Sequence, residues 1–301
     1  MKKYKIGIVP NIEDEALCQI VIDSLEEPMM TDLFIPILYM DKILLDKQRE
    51  GHESDTKFLE VADANNAREE CVCVVNVGKA EDQNEENEAR WKTDLSEGRI
   101  DALVYAGDVD ARTCIDNAHS VVYLSESACM ALVDRDNLAE NLPEMIGILE
   151  RDLDMTRPRL AVIADTDKQK EEWEEKSDDL RAFLYGPFLT ETFFEEDLWQ
   201  NYDAMLALDF ESAIRCFREN AHAWGVCLTE NAQGNVSLYP AYNTQPMGED
   251  AAVFNSISLN RAFYTVVDVM RSRERYDVAH KSPLPKLFHE KREDRRSANV
   301  E

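Results

Sequence analysis

The sequence predicts an α/β fold built on a buried, mostly parallel sheet, and two observations predict it. Short apolar runs alternate with helical patterns along the chain. The runs are nearly continuous in apolar residues rather than strictly alternating, as strands covered on both faces require.

Taken in order, KIGIV is the first strand, broken at Pro10-Asn11. A helix over about 13–26 follows, with Ala16, Leu17, Ile20, Val21 and Leu25 forming one apolar stripe. FIPILYM and CVCVVNV are the next strands. The solvated stretch EDQNEENEAR runs into a helix ending near Gly98, and IDALVYA is a strand followed by an acidic turn and a short helix to about Ala118. SVVYL is a strand and NLAENLPEMIGILERDL a helix. PRLAVIAD leads into the polar helix DKQKEEWEEKSDDLRAFLYG, YDAMLALD into ESAIRCFRENA, and WGVCLTE is a further strand. The last helix, near 256–274, carries Leu259, Phe263, Val266, Val267 and Met270. After Arg271 the chain is locally basic and contains Pro283 and Pro285, which predicts an extended arm packed on the body or on a partner subunit. No internal repeat is present.

A chain of 301 residues with 44% apolar content can bury one large core or two modest ones. Its 61 acids against 33 bases give a net charge of -28, a field that repels nucleic acids and anionic membrane surfaces. No stretch approaches the roughly 18 apolar residues of a membrane span, and the opening Met1-Lys2-Lys3 is followed by too short an apolar run for an export signal. The seven cysteines are odd in number, lie mostly in apolar segments and include no Cys-x-x-Cys. Buried free thiols in a reducing cytoplasm are expected.

Ligands of such sheets bind beyond the carboxyl ends of strands. No Walker sequence, G-x-G-x-x-G, H-E-x-x-H or G-x-S-x-G occurs, and His52, His119, His222, His280 and His289 share no ligand spacing. The pairs Asp108/Asp110 and Asp209/Glu211 each follow a strand at a spacing of two. Converging on one cleft, the four carboxylates would suit Mg²⁺, Mn²⁺ or Ca²⁺. The plain reading is that acids this abundant pair by chance and cap helices. The first turn poses its own problem, because Glu13, Asp14 and Glu15 fill the place where a nucleotide-binding protein holds a phosphate. The helix dipole favours an anion by roughly 0.3–1 kcal/mol. One carboxylate about 4 Å away opposes it by roughly 4 kcal/mol at an effective dielectric near 20. The acids win, and they suit a helix start.

The opening KIGIVPNIEDEALCQIVIDSLEEP, YGPF at 185–188, YDAMLAL at 202–208 and the ending VVDVMRSRERYDVAHKSPLPKLFHEKRED fall in a familiar order. Through them nearly the whole chain resembles the 4-hydroxythreonine-4-phosphate dehydrogenase (PdxA) family. The resemblance implies a three-layer α/β/α fold of the isocitrate/isopropylmalate dehydrogenase-like type, with two lobes around a cleft. Residues 1–112 with 256–301 would form the first lobe, and 113–255 the second, which would carry a dimer contact. The family oxidises a phosphorylated hydroxy amino acid with NAD and a divalent metal, in the pathway to pyridoxal phosphate.

The family's working motifs are missing. Its Gly-Asp-x-x-Gly-Ile-Gly-x-Glu loop falls on Asn11 to Gln19, without any of the three glycines. Its Thr-Ala-Pro-x-x-Lys stretch falls on Tyr105 to Asp110, where the lysine has become Asp110. Its Tyr-His-Asp-Gln-Gly stretch falls on Asp209, Phe210, Glu211, Ser212 and Ala213, without the metal histidine. The segments of the other two metal histidines are unrecognisable between Val121 and Arg159, and its Ala-His-Gly-Thr stretch corresponds to Pro246 to Asp250 without histidine. No catalytic or cofactor-binding residue carries over. The expectation is a cytoplasmic homodimer, or a partner of an active paralogue, with a degenerate site, no cofactor and an unidentified small-molecule ligand. The alternatives are an active NAD- and metal-dependent oxidoreductase with different residues, and an acidic cleft repurposed for a divalent cation or cationic ligand at Asp108, Asp110, Asp209 and Glu211.

Overall fold

In the computed structural model the described residues are 2–11, 14–51, 53–78, 85–107, 118–126, 129–132, 138–164, 166–176, 184–209, 212–214, 217, 221–240 and 251–281. The strands are β1 (Lys5–Pro10), β2 (Ile35–Tyr39), β3 (Phe58–Val61), β4 (Val72–Val75), β5 (Ala102–Ala106), β6 (Ser120–Ser125), β7 (Cys129–Leu132), β8 (Leu160–Ala164), β9 (Leu184–Leu189), β10 (Ala204–Ala207), β11 (Gly225–Glu230) and β12 (Val236–Pro240). The helices are α1 (Glu15–Glu26), α2 (Pro28–Leu33), α3 (Lys42–Gln48), α4 (Glu85–Ser96), α5 (Leu138–Asp152), α6 (Asp167–Lys176), α7 (Thr190–Glu195) and α8 (Ala251–Lys281).

All the strands join one sheet in the order β3-β4-β2-β1-β5-β12-β11-β6-β7-β10-β8-β9. From β3 to β12 every ladder is parallel. β11 then runs antiparallel to both β12 and β6, and β6 antiparallel to β7. From β7 to β9 the ladders are parallel again, in the opposite direction to the first half. The expected mostly parallel sheet is therefore two parallel halves joined by an antiparallel centre. The hairpin signal was present in Asn-Ala-Gln-Gly-Asn, where Asn231 Oδ1 accepts the amides of Gln233 and Asn235 and Gly234 takes φ 82°.

One apolar cluster covers a whole face of the sheet. It joins Ile6, Ile8, Val104, Leu238, Leu228, Leu206 and Val162 to α1, α5 and α8 through Leu17, Val21, Leu142, Leu149, Leu259, Phe263 and Val266. In α1 the buried stripe includes Cys18 and Ile22, while Ala16 is exposed. The other face carries two separate clusters, one under α4 around Tyr39, Cys73 and Leu95, the other around Ile163, Phe193 and Phe217.

Several elements differ from expectation. β9 replaces the end of the helix predicted over DKQKEEWEEKSDDLRAFLYG, because Gly186 takes φ 102° and a Cβ there would lie 2.7 Å from the Val162 carbonyl oxygen. α8 continues to Lys281, so 271–281 are helical rather than an arm and His280 lies on that helix. The arm beyond Lys281 and the short helix expected before Ala118 fall outside the described residues.

The ends of α5 and β11 meet α8 in a buried charge cluster. Arg273 donates to both Asp152 oxygens at 2.8 and 2.7 Å and to the Gly234 carbonyl at 2.6 Å. Arg151 donates to Asp152 at 2.6 and 3.1 Å and to Glu230 at 2.7 Å. The Asp152 side chain is 1% exposed and that of Glu230 10%. Arg273→Ala would leave this charge short of a partner, and urea unfolding should show a loss of about 3–5 kcal/mol.

Candidate functional site

Where the core on the second face divides, the middle of the sheet offers the candidate site. Tyr105 of β5 and Tyr239 of β12 are half-buried there, with ring centres 5.9 Å apart, and Trp91 of α4 meets Tyr105 at 6.2 Å. The β1 turn adjoins them. The Asn11 amide donates to Ala106 O at 3.2 Å, and a Cβ on Gly107 would come within 3.2 Å of Asn11 Cβ, which keeps the two strand ends close.

Beyond this turn the start of α1 is occupied. Asp14 is the N-cap, with φ -102° and ψ 97°, and its Oδ1 accepts the amides of Ala16 and Leu17, each at 3.0 Å. Its own amide donates to Asn11 O at 3.2 Å, and the Cys18 thiol donates to the same oxygen at 3.2 Å. Glu15 faces solvent and pairs with Lys47 at 3.0 Å. Burial pushes the Cys18 thiol up to about 12, with Asp14 and Glu15 adding to the shift, so it is no nucleophile at neutral pH. Glu13 lies outside the described residues. Two amides that could receive a phosphate oxygen thus already hold a carboxylate.

Asp209, after β10, is also a cap. Its carboxylate accepts Ser212 N at 2.9 Å, Ser212 Oγ at 2.6 Å and Gln169 Nε2 at 2.8 Å. Asp108, Asp110 and Glu211 lie outside the described residues. The ends of β5 and β10 point to opposite edges of the sheet and stand five strand positions apart, roughly 24 Å at about 4.8 Å per strand. Gly107 and Asp209 therefore offer no common ion the two ends could share, since carboxylate ligands sit about 2.0–2.6 Å from a metal.

A third carboxylate fills backbone donors that sequence reasoning missed. Glu126 accepts the amides of His222, Ala223 and Trp224 at 2.6, 2.7 and 3.3 Å. Nothing in the sequence links residues 96 to 98 positions apart. Its partial burial raises the carboxyl pKa, but the amides outweigh that and hold it below its ordinary 4.5. Among the histidines, His119 pairs with Glu144 at 2.6 Å and His280 stacks on Tyr276, while His52 and His289 lie outside the described residues. Among the described residues no group of three or more His, Cys, Asp or Glu could hold a metal, and no helix is long and apolar enough to cross a membrane.

No protein-family model matches the chain. The 4-hydroxythreonine-4-phosphate dehydrogenase of Bacteroides thetaiotaomicron is 22% identical over an alignment of 353 positions, which covers 97% of this chain and 96% of that one. Over nearly its whole length the chain is similar to the 4-hydroxythreonine-4-phosphate dehydrogenases. The crystal structure of such an enzyme from Burkholderia phymatum matches at a TM-score of 0.60 and 14% identity, covering 89% of this chain and 99% of that one. That from Klebsiella pneumoniae matches at 0.57 and 14%, covering 90% and 98%. The fold is accordingly of the isocitrate/isopropylmalate dehydrogenase-like α/β type.

Two measurements check this geometry. Asp14→Ala removes the acceptor of two amides and should lower stability by about 1 kcal/mol in denaturant melts. For Glu126 the folded pKa lies below the unfolded one, so its contribution is present above 4.5 and is lost as pH falls through the depressed folded value. The stability difference between wild type and Glu126→Gln should therefore shrink steadily as pH is lowered below 4.5.

Proposed function

We propose that this chain is a non-catalytic member of its family, a binding or regulatory homologue whose dehydrogenase site has closed. The observation that carries the reading is the Asp14 carboxylate on the amides of Ala16 and Leu17, where the family's glycine loop aligns. A substrate phosphate there would have to displace a covalently tethered anion and then face Glu15. The loss of every metal histidine and of the lysine at Asp110 supports the same reading. Arrangement as two lobes, 1–112 with 256–301 and 113–255, and as a cytoplasmic homodimer or a complex with an active paralogue belongs to this proposal.

The alternative of an active NAD- and metal-dependent oxidoreductase would need new residues for phosphate and metal together. A divalent cation held by Asp209 with Glu211, or by Asp108 with Asp110, is the second reading. It requires Asp209 to give up donors that already fill it.

Thermal unfolding in the presence of NAD, Mg²⁺ and 4-phosphohydroxythreonine, singly and together, tests the proposal. No shift in Tm is expected, whereas a ligand at 100 times its Kd would add about 2.7 kcal/mol. Stabilisation by NAD with the phosphorylated substrate contradicts the proposal, and stabilisation by Mg²⁺ alone, lost in Asp209→Asn, favours the second reading.

A further inference from the structure

Cys71 and Cys73 project to one face of the sheet at the start of β4, and each takes part in a contact beyond simple packing. Their sulfurs lie 3.9 Å apart, and the Arg68 carbonyl oxygen stands 3.7 Å from Cys71 Sγ and 3.5 Å from Cys73 Sγ. Glu70 makes this possible by taking φ 62°, which turns the chain so that the carbonyl two residues earlier faces both thiols. The Arg68 amide also donates to Cys73 Sγ at 3.1 Å, a contact that favours thiolate. Cys73 is fully buried and Cys71 is 7% exposed.

We propose that Cys71 Sγ, Cys73 Sγ and Arg68 O form a chelate for a divalent thiophilic cation of the zinc and cadmium class. Two sulfurs on one tetrahedral zinc, at about 2.3 Å each, stand about 3.8 Å apart, close to the observed 3.9 Å. The triangle has its corners roughly 2.1 Å from its centre, so an ion fits after small outward shifts. Ligand chemistry selects the class of ion, because soft thiolates favour the zinc and cadmium class. The two thiolates offset the divalent charge in a site beside Ile37, Ala64 and Val75, and the Lys5 ammonium, which donates to the Ala64 carbonyl at 3.0 Å, favours the Cys73 sulfur as thiolate.

On binding, each S–H bond breaks as its sulfur bonds the ion, both protons leave to solvent, and nothing is oxidised or reduced. Burial pushes the Cys73 thiol up to about 11, so at neutral pH binding is accompanied by proton release. The site differs from the family's histidine-based metal motif in position, ligand type and preferred ion.

Titration of reduced protein with Cd²⁺, read by ultraviolet thiolate-to-cadmium charge transfer and by proton release, tests the proposal. One equivalent should saturate the band and release two protons. Affinity should fall roughly 100-fold or more in Cys71→Ser and in Cys73→Ser, since even outer-shell changes cost 10–100-fold. It should be unchanged in Cys18→Ser and Cys129→Ser. Absence of the band, or an equal band in the Cys71→Ser/Cys73→Ser double variant, overturns the proposal. Should those variants fold poorly, X-ray absorption of the zinc-loaded wild type decides. Two sulfurs at about 2.3 Å support the site, and a shell of nitrogen and oxygen alone or of four sulfurs overturns it.

Discussion

The Asp152 carboxylate, with its side chain 1% exposed, accepts four contacts from the guanidiniums of Arg151 and Arg273, and Glu230 accepts from the same two arginines. The cluster lies where the sheet changes direction, at the end of β11. It fastens that strand to α5, which packs on one part of the sheet, and to α8, which contributes to the core across it. Desolvating charge on this scale costs several kcal/mol per ion unless every lone pair is met. Here the Arg273 Nη1 that does not reach a carboxylate is satisfied by Gly234 O. The hairpin, the antiparallel centre and the long helix are thus tied together.

The same rule operates at the turns. A chain with 61 acids can leave most of them in water, but those near free amides fold inward and cap them. Asp14 does so at α1, Asp209 at Ser212, and Glu126 on the amides of 222–224. Each of these donor sets resembles an anion-binding site, and each is filled from within. The fold is shared with the dehydrogenases this chain resembles, while the chemistry of the site is decided by these carboxylates.

Much of the architecture was legible in the sequence because both faces of most strands are buried, which leaves continuous apolar runs such as β2 and β8. The elements that escaped are those with weaker signals. β12 alternates buried and half-buried residues, β3 is a partly exposed edge strand, and β9 depends on the left-handed φ of Gly186. At the site, the capping role of Asp14 was readable because a cap acts on residues two and three positions ahead. The partners of Glu126 and Asp152 were not, because they come from elements far apart in sequence that only the fold brings together.

The central claim is that the α1 amides are closed to phosphate by Asp14. It is tested most directly by following the backbone amide resonances of Ala16 and Leu17 during titration with 4-phosphohydroxythreonine and NAD. The account predicts that both resonances stay in place up to millimolar ligand. A saturable shift of either amide, sharing one Kd with substrate binding, would contradict it.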